Sequence, residues 1–177
     1  MKVQVICGTR LGATRQIAER IAHRLEEAGL EARSLAPEEI IGEPAADAFV
    51  LGSGVYAGRW QKTIARFARD KASTLRQRPV WLFSSGPVGD TAVGSAPTEP
   101  KEAAELRRLL DARDHRVFAG ALDRDAVEGS DLNRLERAIT RRFIPEGDWR
   151  DWDSIDRWAD EIASSLQGSS AVQRAVT

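Results

Sequence analysis

Two hydrophobic patterns follow each other along the chain, and each predicts one kind of element. Short apolar or alternating segments predict β-strands at 2–7, 31–35, 48–52, 80–83 and 116–121. Segments in which apolar residues recur every three or four positions predict helices at 13–28, 61–76, 101–112, 132–143 and 155–166. Residues 37–44 are irregular, with a helical turn near 39–41. Strand and helix therefore alternate through most of the chain.

This alternation predicts an α/β fold, in which helices cover both faces of a mostly parallel sheet. Residues 48–52 are continuously apolar, as expected for a strand that is covered on both sides. A chain of 177 residues is long enough for one domain with a substantial core. We expect the domain to comprise residues 1–167, with Asp153 capping its last helix and a disordered tail at 168–177.

Three small, polar, glycine-rich loops follow the first, third and fourth predicted strands. In a doubly wound sheet, ligands bind beyond the carboxyl ends of the strands, so these loops should line one rim. The candidate cofactor-binding residues are Thr9, Arg10, Leu11, Gly12, Ala13 and Thr14 in the first loop, Ser53, Gly54, Val55, Tyr56, Ala57, Gly58 and Trp60 in the second, and Ser84, Ser85, Gly86, Pro87 and Gly89 in the third.

The first loop joins a buried strand to an amphipathic helix, an arrangement that suits a phosphate. Its backbone N–H groups and the hydroxyls of Thr9 and Thr14 should converge at the start of the helix. The positive end of the helix dipole favours an anion at that point. The structural alternative is an ordinary helix entry, in which a threonine caps the helix and Gly12 relieves the turn.

The second and third loops supply groups that suit a planar, phosphorylated cofactor. Tyr56 and Trp60 are candidates for stacking on its rings, whereas the alternative for Trp60 is a core anchor against the following helix. Gly54 and Gly58 either let the backbone approach the cofactor or simply form turns. The serines of the third loop either hydrogen-bond one edge of the cofactor or end the strand.

Charge and cysteine content exclude several classes of function. The 26 basic and 27 acidic residues are interspersed, so the net charge of −1 indicates neither a nucleic-acid nor an anionic-membrane partner. No apolar run approaches the roughly 20 residues that span a bilayer. With one cysteine, Cys7, and no zinc-ligand spacing, we expect no disulfide and no bound metal. Nothing in the sequence places an acid or a nucleophile beside His115, so no Ser–His or Cys–His catalysis is indicated.

The first loop and several later segments resemble the flavodoxin superfamily. Thr9-x-x-Gly12-x-Thr14 is similar to that family's FMN-phosphate loop, in which hydroxyls and amides hold the phosphate without a lysine. Over nearly the entire chain, the sequence resembles the flavodoxin-like, menaquinone-dependent protoporphyrinogen oxidases. The segments that carry this second resemblance are Thr9-Arg10-x-Gly12-x-Thr14-Arg15-x-Ile17-Ala18, 67–75, Ala119-Gly120-Ala121-Leu122, and Asp151-Trp152 with Glu161-Ile162-Ala163.

The resemblance implies a flavodoxin-like doubly wound sandwich with five parallel strands in the order 2-1-3-4-5. It also implies FMN as the cofactor and a two-electron role, in which electrons pass from a reduced porphyrin precursor through FMN to a membrane quinone. The third loop has no aromatic residue, so one face of the flavin should stay open to a substrate. Residues 133–148 form a shorter and more charged stretch than the corresponding insertion of those oxidases.

Two other classes of function remain open from the sequence. One is a soluble flavodoxin-type electron carrier, whose partner is a redox protein rather than a small-molecule substrate. The other is a flavodoxin-shaped interaction module without a cofactor, and the intact first loop argues against it. For the oxidoreductase we expect a cytoplasmic location. Peripheral contact with the inner face of the membrane and assembly into a homodimer both remain open.

Overall fold

The computed structural model describes residues 1–56, 58–86, 99–128, 134–143 and 145–175. Its strands are β1 (Lys2–Gly8), β2 (Glu31–Leu35), β3 (Ala48–Tyr56), β4 (Arg59–Trp60), β5 (Val80–Ser85), β6 (Asp114–Phe118), β7 (Ala121–Leu122) and β8 (Gly147–Asp148). Its helices are α1 (Ala13–Glu27), α2 (Lys62–Asp70), α3 (Ala72–Leu75), α4 (Lys101–Leu110), α5 (Arg124–Glu128), α6 (Arg134–Phe143) and α7 (Trp152–Ala175). A 3-10 turn, Pro37–Glu39, follows β2.

Five parallel strands form the central sheet, in the order β2-β1-β3-β5-β6. This is the predicted order 2-1-3-4-5, since β4 only forms a short antiparallel hairpin with the end of β3. β1 lies between β2 and β3, and its Val5 pairs with Ser34 on one side and Val50 on the other. The doubly wound α/β fold predicted from the sequence is therefore confirmed.

Helices cover both faces of this sheet, and side-chain alternation along each strand divides the core in two. On β1, Val3, Val5 and Cys7 belong to the cluster that includes α1 and α7. Ile6 belongs to the opposite cluster, with α2, α3 and α4. With both faces covered, the loops at the carboxyl ends of the strands form a rim.

Ion pairs join α1 to α7 along the solvent-facing edge of their contact. The Arg20 guanidinium donates to both carboxylate oxygens of Asp156, at 2.7 and 2.5 Å. Arg24 donates to both oxygens of Asp160, at 3.0 and 2.9 Å. Exposed pairs of this kind contribute little to stability, so the apolar faces of the two helices hold them together.

Two boundaries in the middle of the chain differ from the predicted ones. The third strand continues to Tyr56 rather than ending at 52, because its last two residues pair with β4. The hairpin turns through Gly58, whose φ of 75° favours glycine. The helix predicted at 61–76 is two helices, because the backbone at Lys71 (φ −102°, ψ 10°) leaves helical geometry.

The region after the central sheet differs more from the prediction. The strand predicted at 116–121 is instead β6, which ends at Phe118, followed by the separate short strand β7. β7 pairs antiparallel with β8, and this two-stranded sheet is not part of the central one. The amide of Trp149 also donates to the carbonyl of Gly120 at 3.1 Å. Residues that were expected to extend the main sheet therefore build a small substructure beside the first loop.

The last helix, α7, is longer than predicted. It begins at Trp152, and the Asp151 carboxylate accepts a hydrogen bond from the Ser154 amide at 3.0 Å, so Asp151 rather than Asp153 caps it. The predicted domain end at residue 167 falls inside this helix. Among the residues described, no helix combines the length and the apolar character needed to cross a bilayer.

We predict that Gly52→Ala strongly destabilises the fold. A Cβ at Gly52 would lie 2.0 Å from Cζ of Phe83, whose fully buried ring is held between Phe118 and Trp158. Overpacking of this kind costs about 1–3 kcal/mol or more. Urea denaturation measures the loss in the free energy of unfolding.

Gly168→Ala is the matched control. A Cβ at Gly168, on α7, meets nothing within 4 Å. Alanine is the better helix former by up to about 1 kcal/mol, so this variant should be as stable as the wild type or slightly more stable. Equal stability of the two alanine variants would contradict the packing assigned to Gly52.

Candidate functional site

The first loop turns the chain sharply from β1 into α1. Gly12 has a φ of 85°, a left-handed conformation that favours glycine, and its amide donates to the Thr9 hydroxyl at 3.0 Å. α1 begins at Ala13, and its first turn carries no acidic residue. The Thr14 side chain is only 3% exposed and still lines a cavity at this point. The loop therefore directs a hydroxyl and the positive end of a helix towards that cavity.

This cavity brings together residues from all three predicted loops. Its volume is about 130 Å³. The predicted site residues that line it are Thr9, Leu11, Ala13, Thr14, Gly54, Val55, Tyr56, Ser85 and Gly86. Arg10, Gly12, Ser53, Gly58, Trp60 and Ser84 are not part of its lining. Ala57, Pro87 and Gly89 lie outside the described residues.

Four lining residues are absent from the sequence prediction: Gly120, Ala121, Leu122 and Thr140. The first three follow β6, which ends at Phe118 and not at residue 121 as predicted. The resemblance to the protoporphyrinogen oxidases already included 119–122, and that segment was the available signal. Thr140 is on α6, and a threonine within an amphipathic helix gave no signal of its own.

Tyr56 lies over the first loop. Its hydroxyl accepts a hydrogen bond from the Arg10 amide at 3.0 Å, and the Arg10 guanidinium carbon is 5.8 Å from the centre of its ring. The ring also covers Gly54, where an added Cβ would be 2.9 Å from Cε2 and from the hydroxyl. The phenol therefore occupies one amide donor of the candidate phosphate loop.

Trp60 is in the core rather than in the cavity. It is 3% exposed, and its indole Nε1 donates to the Ser84 hydroxyl at 2.8 Å. The Ser53 hydroxyl, equally buried, accepts from the Gln61 amide at 2.8 Å and donates to the Gly54 carbonyl at 2.9 Å. The position of Trp60 matches the core-anchor alternative, so Tyr56 is the ring of this loop that faces the cavity.

A network of polar side chains connects Trp60, Ser84, His115 and Glu99, and the sequence did not indicate it. Nε2 of His115 is 2.9 Å from the Ser84 hydroxyl, and Nδ1 is 3.2 Å from a carboxylate oxygen of Glu99. The fold thus places a hydroxyl and a carboxylate beside His115, neither of which the sequence had indicated. Only the fold brings these residues together, since β5 and β6 pair Leu82 with His115.

This network is structural rather than nucleophilic. The Ser84 hydroxyl accepts from the Trp60 indole, so its proton is directed to Nε2 of a neutral His115. Nδ1 of His115 lies 3.2 Å from the Glu99 carboxylate without forming a hydrogen bond to it. Ser84 is completely buried, and a nucleophile needs access to its substrate. The hydrogen bonds of Ser84 instead connect β4, β5 and β6.

Burial shifts the pKa values of His115 and Cys7. It lowers the pKa of His115 below the ordinary value of 6.5, while the Glu99 carboxylate partly opposes that shift. Burial also raises the pKa of the Cys7 thiol from 9.0 to about 11, which agrees with Cys7 as an apolar core residue. Within the described ranges, no group of three His, Cys, Asp or Glu side chains could hold a metal ion.

The sheet order and a loop-built cavity at the carboxyl ends of its strands define a flavodoxin-type cofactor domain. The model of the flavodoxin domain family matches residues 4–141, and the chain belongs to this family. Its cofactor is FMN, as the sequence resemblance implied.

A curated relative covers almost the whole chain. It is the Escherichia coli K12 protein named protoporphyrinogen IX dehydrogenase [quinone], which is 28% identical over 174 residues, 92% of this chain and 95% of that protein. The resemblance to this class of oxidase is confirmed at the level of sequence.

Solved flavodoxins share the fold at lower identity. A cysteine-to-serine variant of Pseudomonas aeruginosa flavodoxin superposes with a TM-score of 0.57 at 17% identity, covering 94% of this chain and 99% of its own. An archaeal flavodoxin gives 0.55 at 19% identity, with 80% and 98% coverage. The Streptococcus pneumoniae TIGR4 flavodoxin gives 0.60 at 13% identity, with 93% and 99% coverage.

We predict that acidification destabilises the protein through His115. Because the folded state lowers the pKa of His115, the unfolded chain binds the proton more readily. The free energy of unfolding should therefore fall as the pH drops below about 6.5, until the lower folded-state pKa is reached. Urea denaturation between pH 7.5 and pH 5 measures this slope.

The two histidines of the chain provide a matched pair of variants. His115→Gln should flatten the slope near pH 6, whereas His23→Gln, at an exposed position on α1, should leave it unchanged. The titration of carboxylates at lower pH is common to both variants. A slope that disappears in His23→Gln instead would contradict the assignment.

Proposed function

We propose that this FMN-binding oxidoreductase removes hydrogen from a small organic substrate and reduces a quinone-type acceptor, in the manner of a protoporphyrinogen oxidase. Each turnover takes two electrons and two protons from the substrate and converts one quinone to a quinol. The observation that carries the proposal is the similarity to the E. coli protoporphyrinogen IX dehydrogenase, which covers 92% of this chain and 95% of that protein.

The residues of the cavity fit the phosphate of FMN. The hydroxyl of Thr14 is buried yet directed into the cavity, and the loop amides stand at the N-terminal end of α1. A Cβ at Gly54 would be 3.0 Å from the Thr14 hydroxyl and would fill this space, so glycine keeps it open. No lysine is needed, because hydroxyls, amides and a helix dipole supply the donors.

Each loop then has a distinct task towards FMN. Thr9, Thr14 and the amides of 10–14 would hold the phosphate, and the ring of Tyr56 would cover one face of the flavin. Ser85 and Gly86 would offer hydrogen bonds to an edge of the ring system. Bound FMN supplies the two-electron redox chemistry, and the protein supplies position and shielding from water.

A substrate would approach the flavin on the face that Tyr56 does not cover. Residues 84–98 contain no aromatic side chain that could cover that face. A pure electron carrier has no need of an open face, so this feature favours an enzyme over a carrier.

Tyr56 borders the part of the cavity that would hold the phosphate of FMN. The Tyr56 ring covers Gly54, and its hydroxyl accepts from the Arg10 amide. We therefore expect the Tyr56 side chain to rotate out of the phosphate position when FMN enters.

We predict that Tyr56→Phe binds FMN more tightly than the wild type. The variant retains an aromatic ring but lacks the hydroxyl that competes with the phosphate for the Arg10 amide. Releasing one such hydrogen bond is worth about 0.5–1.5 kcal/mol, or roughly a two- to tenfold lower Kd. Flavin fluorescence titration measures the Kd.

Riboflavin is the control ligand for this variant, because it has the ring system without the phosphate. Its Kd should be the same for Tyr56→Phe and for the wild type. Weaker FMN binding by the variant would show that the hydroxyl does not compete with the phosphate.

We predict that Thr14→Ala weakens FMN binding by about tenfold to a hundredfold. The variant loses a hydroxyl directed at a charged phosphate, a loss of roughly 1.5–3 kcal/mol. Thr63→Ala, on α2 and outside the cavity, is the matched control and should keep the wild-type Kd. An unchanged Kd in Thr14→Ala would exclude this threonine as a phosphate ligand.

The reaction itself is tested with FMN-loaded protein, protoporphyrinogen and menaquinone supplied in lipid vesicles. Formation of protoporphyrin together with menaquinol supports the proposed enzyme. Electron exchange with a flavodoxin reductase alone would overturn it in favour of a soluble carrier. A purified protein that takes up no FMN would overturn both.

A further inference from the structure

A small apolar cluster joins the tip of the first loop to the segment that follows the sheet. Leu122 and Val127 are 6% and 1% exposed, and Leu11 of the first loop packs against them. The cluster is separate from the two large cores that flank the sheet. The loop that faces the phosphate is thus held from outside by residues of β7 and α5.

A polar contact joins the same substructure to the start of α1. Arg150 donates from Nη1 to the Gln16 side-chain oxygen at 2.5 Å, and its Nε donates to Asp148 of β8 at 2.8 Å. The guanidinium also stacks over the Trp152 ring, 4.5 Å from its centre, and the Arg150 side chain is only 8% exposed. β8 pairs with β7, so this contact and the apolar cluster belong to one unit.

Between these two contacts the first loop borders a second cavity rather than packed core. This cavity has a volume of about 410 Å³, and its lining includes Leu11, Gln16, Leu122 and Asp148. The apolar cluster and the Arg150–Gln16 contact therefore support the outer side of the loop.

We propose that Val127 is a positioning residue for the FMN phosphate, acting through Leu11 on the conformation of the first loop. The inference rests on the proposed phosphate site. Val127 does not line the cofactor cavity, so it acts on FMN only indirectly. If the loop amides are already in the binding conformation, the free-energy cost of ordering the loop on phosphate binding is smaller. The affinity for FMN is then higher.

The coupling is reciprocal. If docking of 121–128 favours the binding conformation of the loop, bound phosphate must in turn stabilise the docked segment. The effect therefore has two independent readouts, one at the cofactor and one in α5.

Val127→Ala provides the first readout, with Val3→Ala as the matched control. Both valines are 1% exposed, but Val3 lies at the start of β1, far along the strand from the loop. Val127→Ala should raise the FMN Kd by up to roughly tenfold. That limit applies if all of the packing free energy lost at residue 127 appears as weaker FMN binding. The riboflavin Kd should stay unchanged. Val3→Ala should lower the free energy of unfolding and leave both constants unchanged.

Hydrogen exchange on the wild-type protein provides the second readout and needs no variant. Saturating FMN should slow exchange of the amides of 124–128, which do not line the cofactor cavity. Exchange in α3, on the far side of the sheet, should stay the same.

The outcomes separate this inference from the function on which it rests. A wild-type protein that binds no FMN overturns the proposed function and this inference with it. If the wild type binds FMN but Val127→Ala has an unchanged Kd, only the positioning role is overturned. Equal weakening of FMN and riboflavin also overturns it, because the effect would then not act through the phosphate. The same holds if FMN leaves exchange in 124–128 unaltered.

Discussion

The site depends on how the chain passes from β1 to α1 within a few residues. β1 lies inside the sheet, paired on both sides, so its carboxyl end is fixed by two neighbouring strands. Gly12 then adopts a left-handed conformation, which brings the N-terminal end of α1 against that strand end. In the proposed function, a phosphate at this point would meet the N-terminal end of a helix that the strand end holds in place.

Much of the fold follows from local patterns, and the exceptions have physical causes. Strand 31–35 and the start of α1 are where periodicity and turn residues place them, and the strand order follows from the family resemblance. The end of β3 was missed because its pairing with β4 is a hairpin of only two residues a side. The region after Phe118 was misassigned because a strand that leaves the sheet keeps the same local pattern as one that stays in it.

The candidate site was predictable in outline and not in depth. Loop composition indicated which segments lie on the rim, but not which side chains face the cavity. Trp60 and Tyr56 belong to one loop, yet hydrogen bonding to Ser84 draws the indole into the core. The partners of His115 were invisible because Glu99 is distant in the sequence and Ser84 is on another strand. The Ser84–His115 contact arises from the register of β5 and β6.

The burial of Cys7 has a consequence for a protein that handles electrons. The thiolate, not the neutral thiol, reacts with peroxide and with alkylating reagents. A thiol whose pKa is about 11 is almost entirely protonated at physiological pH, and the surrounding core keeps reagents away. The single sulfhydryl group of this chain lies one residue before the end of β1, and it is therefore unreactive in a protein whose cofactor is FMN. Oxidative stress should leave the strand that carries the phosphate loop undamaged.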